Sequence, residues 1–206
     1  MFIRATTIAA DPARLDEGIR FTRDVVAPAL SAVPGSLGLS MYVDRDTGTS
    51  TVSSAWETRG ARDAAQAALD PLRARAAGIV GGLPVTDLFE LAVLERRRPA
   101  EPGFWSRMTR VSIDPHRMET AIDAYRSTTL PALELLDGYC SAALLVDYGR
   151  GAGISSVVFD SRASLDASRD QGEQIRRTST AKAGAEVVDV RESEIVIAGM
   201  RLPQTA

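Results

Sequence analysis

The sequence predicts an α+β protein in which two tandem copies of one βαββαβ unit form an internal pseudo-dimer with a shared barrel core. The first observation is a repeat: residues 4–59 match residues 107–162 at 16 of 56 positions without a gap. The second is that both copies show the same order of strand and helix patterns. The third is that several strands, such as 142–146 and 195–198, are apolar on both faces, so each face must pack against something.

Each copy begins with a strand and a helix. Residues 2–9 and 105–113 are rich in β-branched and apolar residues, which favours strands. The dipeptides that follow, Asp11-Pro12 and Asp114-Pro115, supply an N-cap and a proline in the first helical turn. One apolar helical face follows in each copy. Its members are Leu15, Ile19, Val26 and Leu30 in the first copy, and Met118, Ile122, Leu130 and Leu133 in the second.

A proline falls late in this helix in both copies, at Pro28 and Pro131. Because proline lacks the N–H that an interior helical residue donates, we expect each helix to kink or restart there. Gly35 and Gly138 are then expected to end the helix.

The rest of each copy reads as a hairpin, a second helix and a last strand. In the first copy these are 37–43 with 49–56, then 59–77, then 85–94. In the second copy they are 140–146 with 154–159, then 162–183, then 186–198. The order β-α-β-β-α-β is the ferredoxin-like split βαβ arrangement.

The two copies are expected to pack sheet to sheet, as ferredoxin-like repeats of a pseudo-dimeric α+β barrel. Helices cover only one face of each sheet, and burying the other face stabilises the fold by about 25 cal/mol per Å² of apolar area. We therefore predict ferredoxin-like repeats at 1–97 and 104–200, a linker at 98–103 and a short tail at 201–206. The barrel is expected to form within one chain, and further homo-oligomerisation is left open.

Composition excludes several classes of partner. The net charge of −3 argues against a nucleic-acid surface, which needs a clustered basic excess. No apolar run approaches the ~18 residues of a membrane span, so no membrane partner is expected. The single cysteine, Cys140, suits a reducing compartment, and we predict a cytoplasmic protein.

Two repeated motifs carry a family resemblance over nearly the whole chain. The first is the turn Pro34-Gly35 after the helix, with Asp137-Gly138 in its place in the second copy. The second is a strand ending in an aromatic, an acidic and a hydroxyl residue, at 55–58 and 158–161. The chain resembles the dimeric α+β barrel superfamily, most closely the antibiotic biosynthesis monooxygenase-like group, as an internal tandem duplication. That superfamily includes cofactor-free oxygenases of aromatic polyketides, haem enzymes, haem-degrading enzymes, small isomerases and members without known activity.

The resemblance implies a pocket between the helices and the sheet of each unit. Carried over by motif, its lining would be Trp56 with Thr6 in the first copy, and Phe159 with Thr109 in the second. The alternative is that the two aromatics belong to the core and the threonines are ordinary strand residues.

Three further residues are candidate ligand-binding groups. Arg4 and Arg107 lie on the same strand faces as the two threonines, where a guanidinium could hold a phenolate or carboxylate. Each could equally pair with an acid at a strand end. Tyr125, on the first helix of the second copy, is placed to donate a hydrogen bond into a pocket.

No cofactor and no metal are expected. Haem-degrading relatives use a histidine on the second helix, and neither second helix here contains one. The only histidine, His116, stands in an exposed first turn, and no cluster of histidines and cysteines provides metal ligands.

Three functional hypotheses stay open. The first is a cofactor-independent enzyme, such as a monooxygenase acting on an aromatic or polyketide-like molecule. It would need only to bind and orient the substrate and to supply a base. The second is a non-catalytic small-molecule binding or sensing protein, and the third is a structural relative with a filled pocket. Because the first copy keeps an indole N–H beside the small Ser54, we expect the better pocket there.

Overall fold

Each repeat contains four strands and four α-helices in the computed structural model, which describes residues 1–202. The elements of the first repeat are β1 (Phe2–Ala9), α1 (Leu15–Phe21), α2 (Ala27–Ser31), β2 (Ser36–Asp44), β3 (Thr49–Trp56), α3 (Arg59–Ala64), α4 (Gln66–Val80) and β4 (Pro84–Arg96). Those of the second repeat are β5 (Trp105–Ser112), α5 (Met118–Ala124), α6 (Leu130–Leu133), β6 (Tyr139–Asp147), β7 (Ala152–Phe159), α7 (Arg162–Ala167), α8 (Arg169–Ala183) and β8 (Glu186–Ala198). This order confirms the two predicted βαββαβ repeats.

The strands are hydrogen-bonded in the order β1-β3-β2-β8-β5-β7-β6-β4 and close as a barrel. In the first repeat β3 lies between β1 and β2, and both pairings are antiparallel. In the second repeat β7 lies in the same way between β5 and β6. The α+β class, the ferredoxin-like strand order and the barrel are therefore as predicted.

The last strand of each repeat is divided between two compact units. The first unit consists of Met1–Phe89 and Ser193–Leu202, and the second contains Glu90–Glu192. In the first unit the end of β8 pairs with β2, and in the second the end of β4 pairs with β6. We keep 1–97 and 104–200 as the proposed bounds of the duplicated sequence. The two compact units differ from these repeats because each unit includes the end of a strand from the other repeat.

The first helical segment of each repeat starts as predicted. The Asp11 carboxylate accepts from the backbone N–H of Ala13, and Asp114 accepts from that of His116. Pro12 and Pro115 stand in the short 3₁₀ turn that follows each cap.

The predicted kink at the late proline takes the form of a π-helical turn. This turn spans Thr22–Val26 in the first repeat and Tyr125–Thr129 in the second, between two α-helical pieces. The N–H groups of Ala27 and Leu130 bond five residues back, to Thr22 and Tyr125. The wider turn keeps each following proline ring away from the carbonyl that it would meet in a regular α-helix.

The second helical segment is two helices rather than the single helix predicted at 59–77 and 162–183. The break falls at Ala65 and Ser168, and the longer pieces end at left-handed glycines, Gly81 and Gly184. Each segment begins with a capping hydroxyl, from Thr58 or Ser161.

Gly35 and Gly138 follow the first helical segment with φ of +77° and +71°, a conformation that favours glycine. A Cβ at Gly35 would lie 2.7 Å from that of Ala61, and one at Gly138 would lie 2.4 Å from that of Ser164. These glycines therefore permit close approach of the turn to the following helix.

The core of each repeat fills the space between its helices and its strands. In the first repeat Leu15, Met41 and Val43 form one cluster, and Leu30, Leu39 and Trp56 form another. In the second repeat one larger cluster includes Ile122, Phe159 and Leu165. Cys140 is buried, as expected for a small core residue, and His116 is exposed.

Within residues 1–202, no helix is long and apolar enough to cross a membrane. The same part of the chain contains no group of three or more histidine, cysteine or acidic side chains arranged to hold a metal ion.

Candidate functional site

A cavity of about 110 Å³ lies between the helices and the sheet of the second repeat. Its walls come from β5, β6 and β7 on one side and from α5, the π-helical turn and α8 on the other. The lining is largely aliphatic. It includes Val111, Ile113, Met118, Ile122, Leu133, Leu144, Val146, Val157 and Ile175.

Two hydroxyl pairs interrupt this apolar lining. The Tyr125 hydroxyl lies 3.1 Å from Ser155 Oγ, and Thr129 donates to Ser179 Oγ at 2.8 Å. The first pair joins the π-helical turn to β7 across the cavity, and the second joins the turn to α8 on the helical side. Burial raises the pKa of Tyr125 to about 12, although the Ser155 hydrogen bond acts to lower it. The Tyr125 phenol is therefore neutral near pH 7 and can donate a hydrogen bond to a ligand.

Arg107 lines the cavity, and its positive charge is paired with the Glu192 carboxylate. Its Nε donates to Glu192 at 2.9 Å, Nη1 donates to Ser168 Oγ at 3.0 Å, and Nη2 donates to the Leu165 carbonyl at 2.8 Å. The side chain is 7% exposed. Of the two interpretations of this arginine, pairing with an acid in the last strand is the one that the geometry supports.

The first repeat has a smaller cavity of about 60 Å³ at the equivalent place. Thr6, Thr22, Ser54 and Arg73 line it together with aliphatic side chains. Its walls lack the hydroxyl pairs of the second repeat. Thr22 and Val52 replace Tyr125 and Ser155, and Val26 and Ala76 replace Thr129 and Ser179.

The larger cavity is in the second repeat, contrary to the prediction that the first copy holds the better pocket. One cause lies on the second helical segment. Leu69 of α4 is buried and lines the smaller cavity, whereas its equivalent in α8 is Gly172. The missing side chain leaves room in the second repeat, although a Cβ at Gly172 would lie 2.8 Å from Arg107 Nη1.

The predicted site residues divide into two groups. Four of the predicted residues, Thr6, Thr109, Arg107 and Tyr125, line a cavity. The other three, Trp56, Phe159 and Arg4, are buried and lie outside the walls of both cavities.

Trp56 and Phe159 are core residues for a local reason. Both are fully buried. The Trp56 indole N–H donates to Ser54 Oγ at 3.1 Å, so the group expected to face a ligand is bound within its own strand. Phe159 has the guanidinium of Arg107 5.8 Å from its ring centroid. We correct their placement from pocket wall to core.

Sequence reasoning missed Ser155, Gly172, Thr129 and Ser179. A signal for Gly172 was present, because a glycine inside a helix opposite a leucine in the other copy indicates missing volume. The two serines and Thr129 become significant only once the distances to their hydroxyl partners are known.

The residues at these cavities do not fit a histidine-ligated haem. Among the wall residues of the two cavities there is no histidine and no cysteine. His116 lies on the exposed 3₁₀ turn. Tyr125, the tyrosine at the larger cavity, is engaged with Ser155.

Two relatives match the chain over almost its whole length. It is 39% identical over 204 residues to the uncharacterized protein Rv2557 of Mycobacterium tuberculosis, covering 99% of this chain and 91% of that one. It is 38% identical over 205 residues to the uncharacterized protein Rv2558 of the same organism, covering 99% and 87%. No protein-family model matches the chain.

Solved structures share the fold at low sequence identity. A "putative monooxygenase" from Fusobacterium nucleatum has a TM-score of 0.73 at 13% identity, covering 100% of this chain and 96% of that one. An anthrone oxidase-like protein has a TM-score of 0.70 at 16% identity, covering 98% and 94%. These structures confirm the fold that the resemblance implied, an α+β barrel of two βαββαβ repeats.

Proposed function

The chain belongs to the family of the Mycobacterium tuberculosis proteins Rv2557 and Rv2558, and we propose that it binds a small aromatic molecule in the cavity of its second repeat. The ligand is largely apolar and carries one oxygen that bonds to the Tyr125–Ser155 pair. The cavity of the first repeat is smaller and lacks this pair, so the proposal concerns the second repeat alone.

The observation that carries the proposal is the buried, neutral hydroxyl of Tyr125 in a cavity whose walls are mostly apolar. Binding sites for small molecules combine apolar walls with a few polar groups that fix orientation. An aliphatic cavity of about 150 Å³ binds benzene in another protein. A volume of about 110 Å³ therefore suits one aromatic ring, with a small adjustment of flexible side chains such as Met118.

Phenol and toluene form the matched pair of probes for this site, because they have similar size and differ in the hydroxyl. We expect phenol to bind more tightly than toluene in calorimetric titrations. Tyr125→Phe should weaken phenol binding about tenfold, the effect of one lost hydrogen bond, and leave toluene unchanged. Ser155→Val, which places the first repeat's residue in the second, should act in the same direction.

Tyr42→Phe is the control, because Tyr42 lies in β2 of the first repeat and is not a wall residue of the cavity. It should bind phenol as the wild type does. Equal affinity of Tyr125→Phe and wild type for phenol would count against the proposal.

We propose monooxygenation of an aromatic or polyketide-like substrate, without a cofactor, as the second candidate function. The fold shared with the Fusobacterium protein and the anthrone oxidase-like protein favours it. The cavity walls do not favour it as strongly. No aspartate, glutamate or histidine is among the described wall residues. Because the pKa of Tyr125 is raised, its side chain is rarely deprotonated and is a weak candidate for the general base.

Oxygen uptake with anthrone as substrate separates the two candidates. Binding alone predicts the same uptake with and without protein, and a three-ring substrate is also too large for about 110 Å³. Uptake that the protein accelerates and that Tyr125→Phe abolishes would favour the monooxygenase.

A further inference from the structure

Arg4 is a buried cation whose hydrogen bonds are incomplete. It lies in β1 with 4% of its surface exposed. Nη2 donates to the Gln66 side chain at a long 3.5 Å, and Nε and Nη1 have no hydrogen-bond partner among residues 1–202. Buried polar groups in native proteins are almost always partnered, so two unpartnered nitrogens on one guanidinium indicate a missing acceptor.

The second repeat shows what the missing acceptor is. Arg107, the equivalent of Arg4, is bound by the Glu192 carboxylate and the Ser168 hydroxyl. In the first repeat Ala65 stands in place of Ser168, so the hydroxyl is absent.

The carboxylate is absent as well, because the pairing of the last strands places Leu88 where the second repeat has Glu192. The equivalence follows from two matching cross-strand pairs: Glu90 with Val146, and Glu194 with Val43. Leu88 and Glu192 each stand two residues before the glutamate of its pair. Leu88 is 37% exposed and offers no acceptor to Arg4.

The surroundings of Arg4 add positive charge. Arg62 is buried and Arg73 is largely buried, whereas the side chains of their partners, Asp63 and Asp70, are more than half exposed. Burial, followed by the guanidinium groups of Arg73 and Arg62, lowers the pKa of Arg4 below its ordinary value, although the carboxylates of Asp70 and Asp63 act to raise it. An anion beside Arg4 would offset both the burial and the repulsion.

A small cavity lies next to the strand neighbours of the arginine, although Arg4 itself is not one of its wall residues. Thr6 and Ser54 line the 60 Å³ cavity, and Arg4 lies opposite Ser54 in the sheet, two residues from Thr6. Arg73 also lines this cavity. The volume holds a few atoms, which is the size of a carboxylate group with one or two carbons.

We propose that the first repeat binds the carboxylate of a small organic acid at Arg4, in the place that the Glu192 side chain occupies in the second repeat. A planar carboxylate can accept from Nε and a terminal nitrogen of one guanidinium, as Glu192 does from Arg107. The Thr6 hydroxyl, which lies 3.4 Å from that of Thr86, is an additional donor at this cavity, whereas the Ser54 hydroxyl already donates to the Arg4 carbonyl. This site is separate from the aromatic-binding cavity and stands or falls independently of it.

Acetate and acetamide are the probes, since they share a shape and differ in charge. At constant ionic strength and pH 7, we expect acetate to raise the melting temperature and acetamide to leave it unchanged. Arg4→Met should weaken acetate binding about tenfold to hundredfold, the range for a lost hydrogen-bonded charge. Tyr125→Phe in the other repeat should leave the acetate response intact.

Leu88→Glu gives the decisive test, because it builds into the first repeat the acid that the second repeat carries. We expect this variant to melt at a higher temperature than the wild type without acetate, and to lose the response to acetate. The exposed position of Leu88 makes the substitution compatible with folding.

Three results would overturn the proposal. One is an equal response to acetate and acetamide, which indicates a solvent effect. Another is an undiminished acetate response in both Arg4→Met and Leu88→Glu, which places the anion elsewhere. The third is a phosphate response at Arg4 that exceeds the acetate response, which assigns the site to inorganic oxyanions instead.

Discussion

Arg107 and Arg4 are the same residue at equivalent positions, yet their side chains should affect stability in opposite directions. Arg107 has an acceptor for each of its three nitrogens, and its loss would leave the partly buried Glu192 with the exposed Arg169 as its remaining partner. Arg4 has an incomplete set of acceptors, so its burial is uncompensated.

We predict that Arg107→Met lowers the free energy of unfolding by about 2–3 kcal/mol, because breaking a buried pair leaves the other charge poorly partnered. Arg4→Met, measured without added anion, should cost less than about 1 kcal/mol or should stabilise the protein, since methionine keeps the aliphatic packing and removes an unpaired charge. Urea unfolding of both variants at pH 7 measures the difference. Equal losses would contradict the contrast between the two repeats.

The second prediction at this scale concerns pH. Because the pKa of Tyr125 is raised to about 12 in the folded protein against about 10 in the unfolded chain, folding favours the neutral phenol. Its contribution to stability is complete below pH 10 and is lost as the pH rises from about 10 to about 12. The slope from this tyrosine is about −1.4 kcal/mol per pH unit in that window.

The measurement is the free energy of unfolding of wild type and Tyr125→Phe between pH 8 and pH 12. The difference between the two proteins should be constant at the lower end and should shrink above pH 10. Tyr42 has a raised pKa too, and subtracting the variant removes its contribution. The pKa of Tyr139 is raised by burial and in part by Tyr125, so Tyr139 contributes to the measured difference. A constant difference throughout would show that Tyr125 titrates normally.

At this scale the sequence identified which side chains lie near the cavities and could not assign their partners. Thr6, Thr109, Arg107 and Tyr125 line the cavities, because the repeat fixes their strand faces and helical position. The acid that binds Arg107 lies 85 residues away along the chain, and no local pattern indicates it.

The π-helical turns connect a proline to the position of a functional side chain. The turn in the second repeat starts at Tyr125 and ends two residues before Pro131. A regular α-helix through this segment would present Tyr125 in a different direction, because each residue of offset rotates the helix by about 100°. Pro131 thus helps to direct the Tyr125 hydroxyl toward Ser155.

We predict that Pro131→Ala allows a regular α-helix, weakens phenol binding about tenfold, and leaves stability unchanged or raised by about 1 kcal/mol. Alanine restores the missing N–H donor and removes the ring that the wider turn accommodates. The matched control is Pro28→Ala in the first repeat, which should leave phenol binding unaffected. Wild-type affinity in Pro131→Ala would show that the turn forms without its proline.

Element boundaries were predictable where a side chain terminates or caps a helix. Asp11, Asp114 and the two prolines after them marked the starts of the first helices. The prolines at 28 and 131 indicated an irregularity, but the choice of a π turn over a kink depends on how the following turn packs. The break between α3 and α4 had no such signal, because Ala65 is itself a good helix former.

For the molecule as a whole, the division of β4 and β8 between two units predicts a single unfolding transition. Ser193–Leu202 belongs to the first unit although it follows the second unit in the chain. Neither unit is complete without a strand end that the other repeat supplies. The loss of one unit should therefore destabilise the other.

The two tryptophans report on this coupling. Trp56 lies in the first unit and Trp105 in the second. Trp56→Phe and Trp105→Phe each introduce the residue that the other repeat carries, and each leaves one reporter. We predict identical urea midpoints by fluorescence in both variants, independent of protein concentration.

Ile195→Ala, added to both reporters, should lower both midpoints equally. Ile195 is fully buried beside Tyr42, and the truncation should cost about 3 kcal/mol. Val188→Ala, at an exposed site in the same strand, is the control. A shift confined to the Trp56 reporter would show that the units unfold separately.

The fold was easier to predict than the site, because the same order of strands and helices occurs in both copies of the sequence. Strands apolar on both faces required a second layer, and the repeat supplied one within the chain. The position of the larger cavity was not predicted, because it depends on the volume left by Gly172. The Trp56 indole N–H, which we expected to face a ligand, donates to Ser54 Oγ instead.

The late arrival of β8 in the first unit has a consequence for biosynthesis. A ribosome releases the chain from its N-terminus, so residues 1–89 emerge long before Ser193–Ala198, the segment that completes their sheet. Residues 90–192, by contrast, include every strand segment of their unit, so this unit is complete once Glu192 has left the ribosome. The usual vectorial order, in which the N-terminal part folds first, is therefore reversed at the final step. Residues 1–89 are therefore completed after residues 90–192, although they are translated before them.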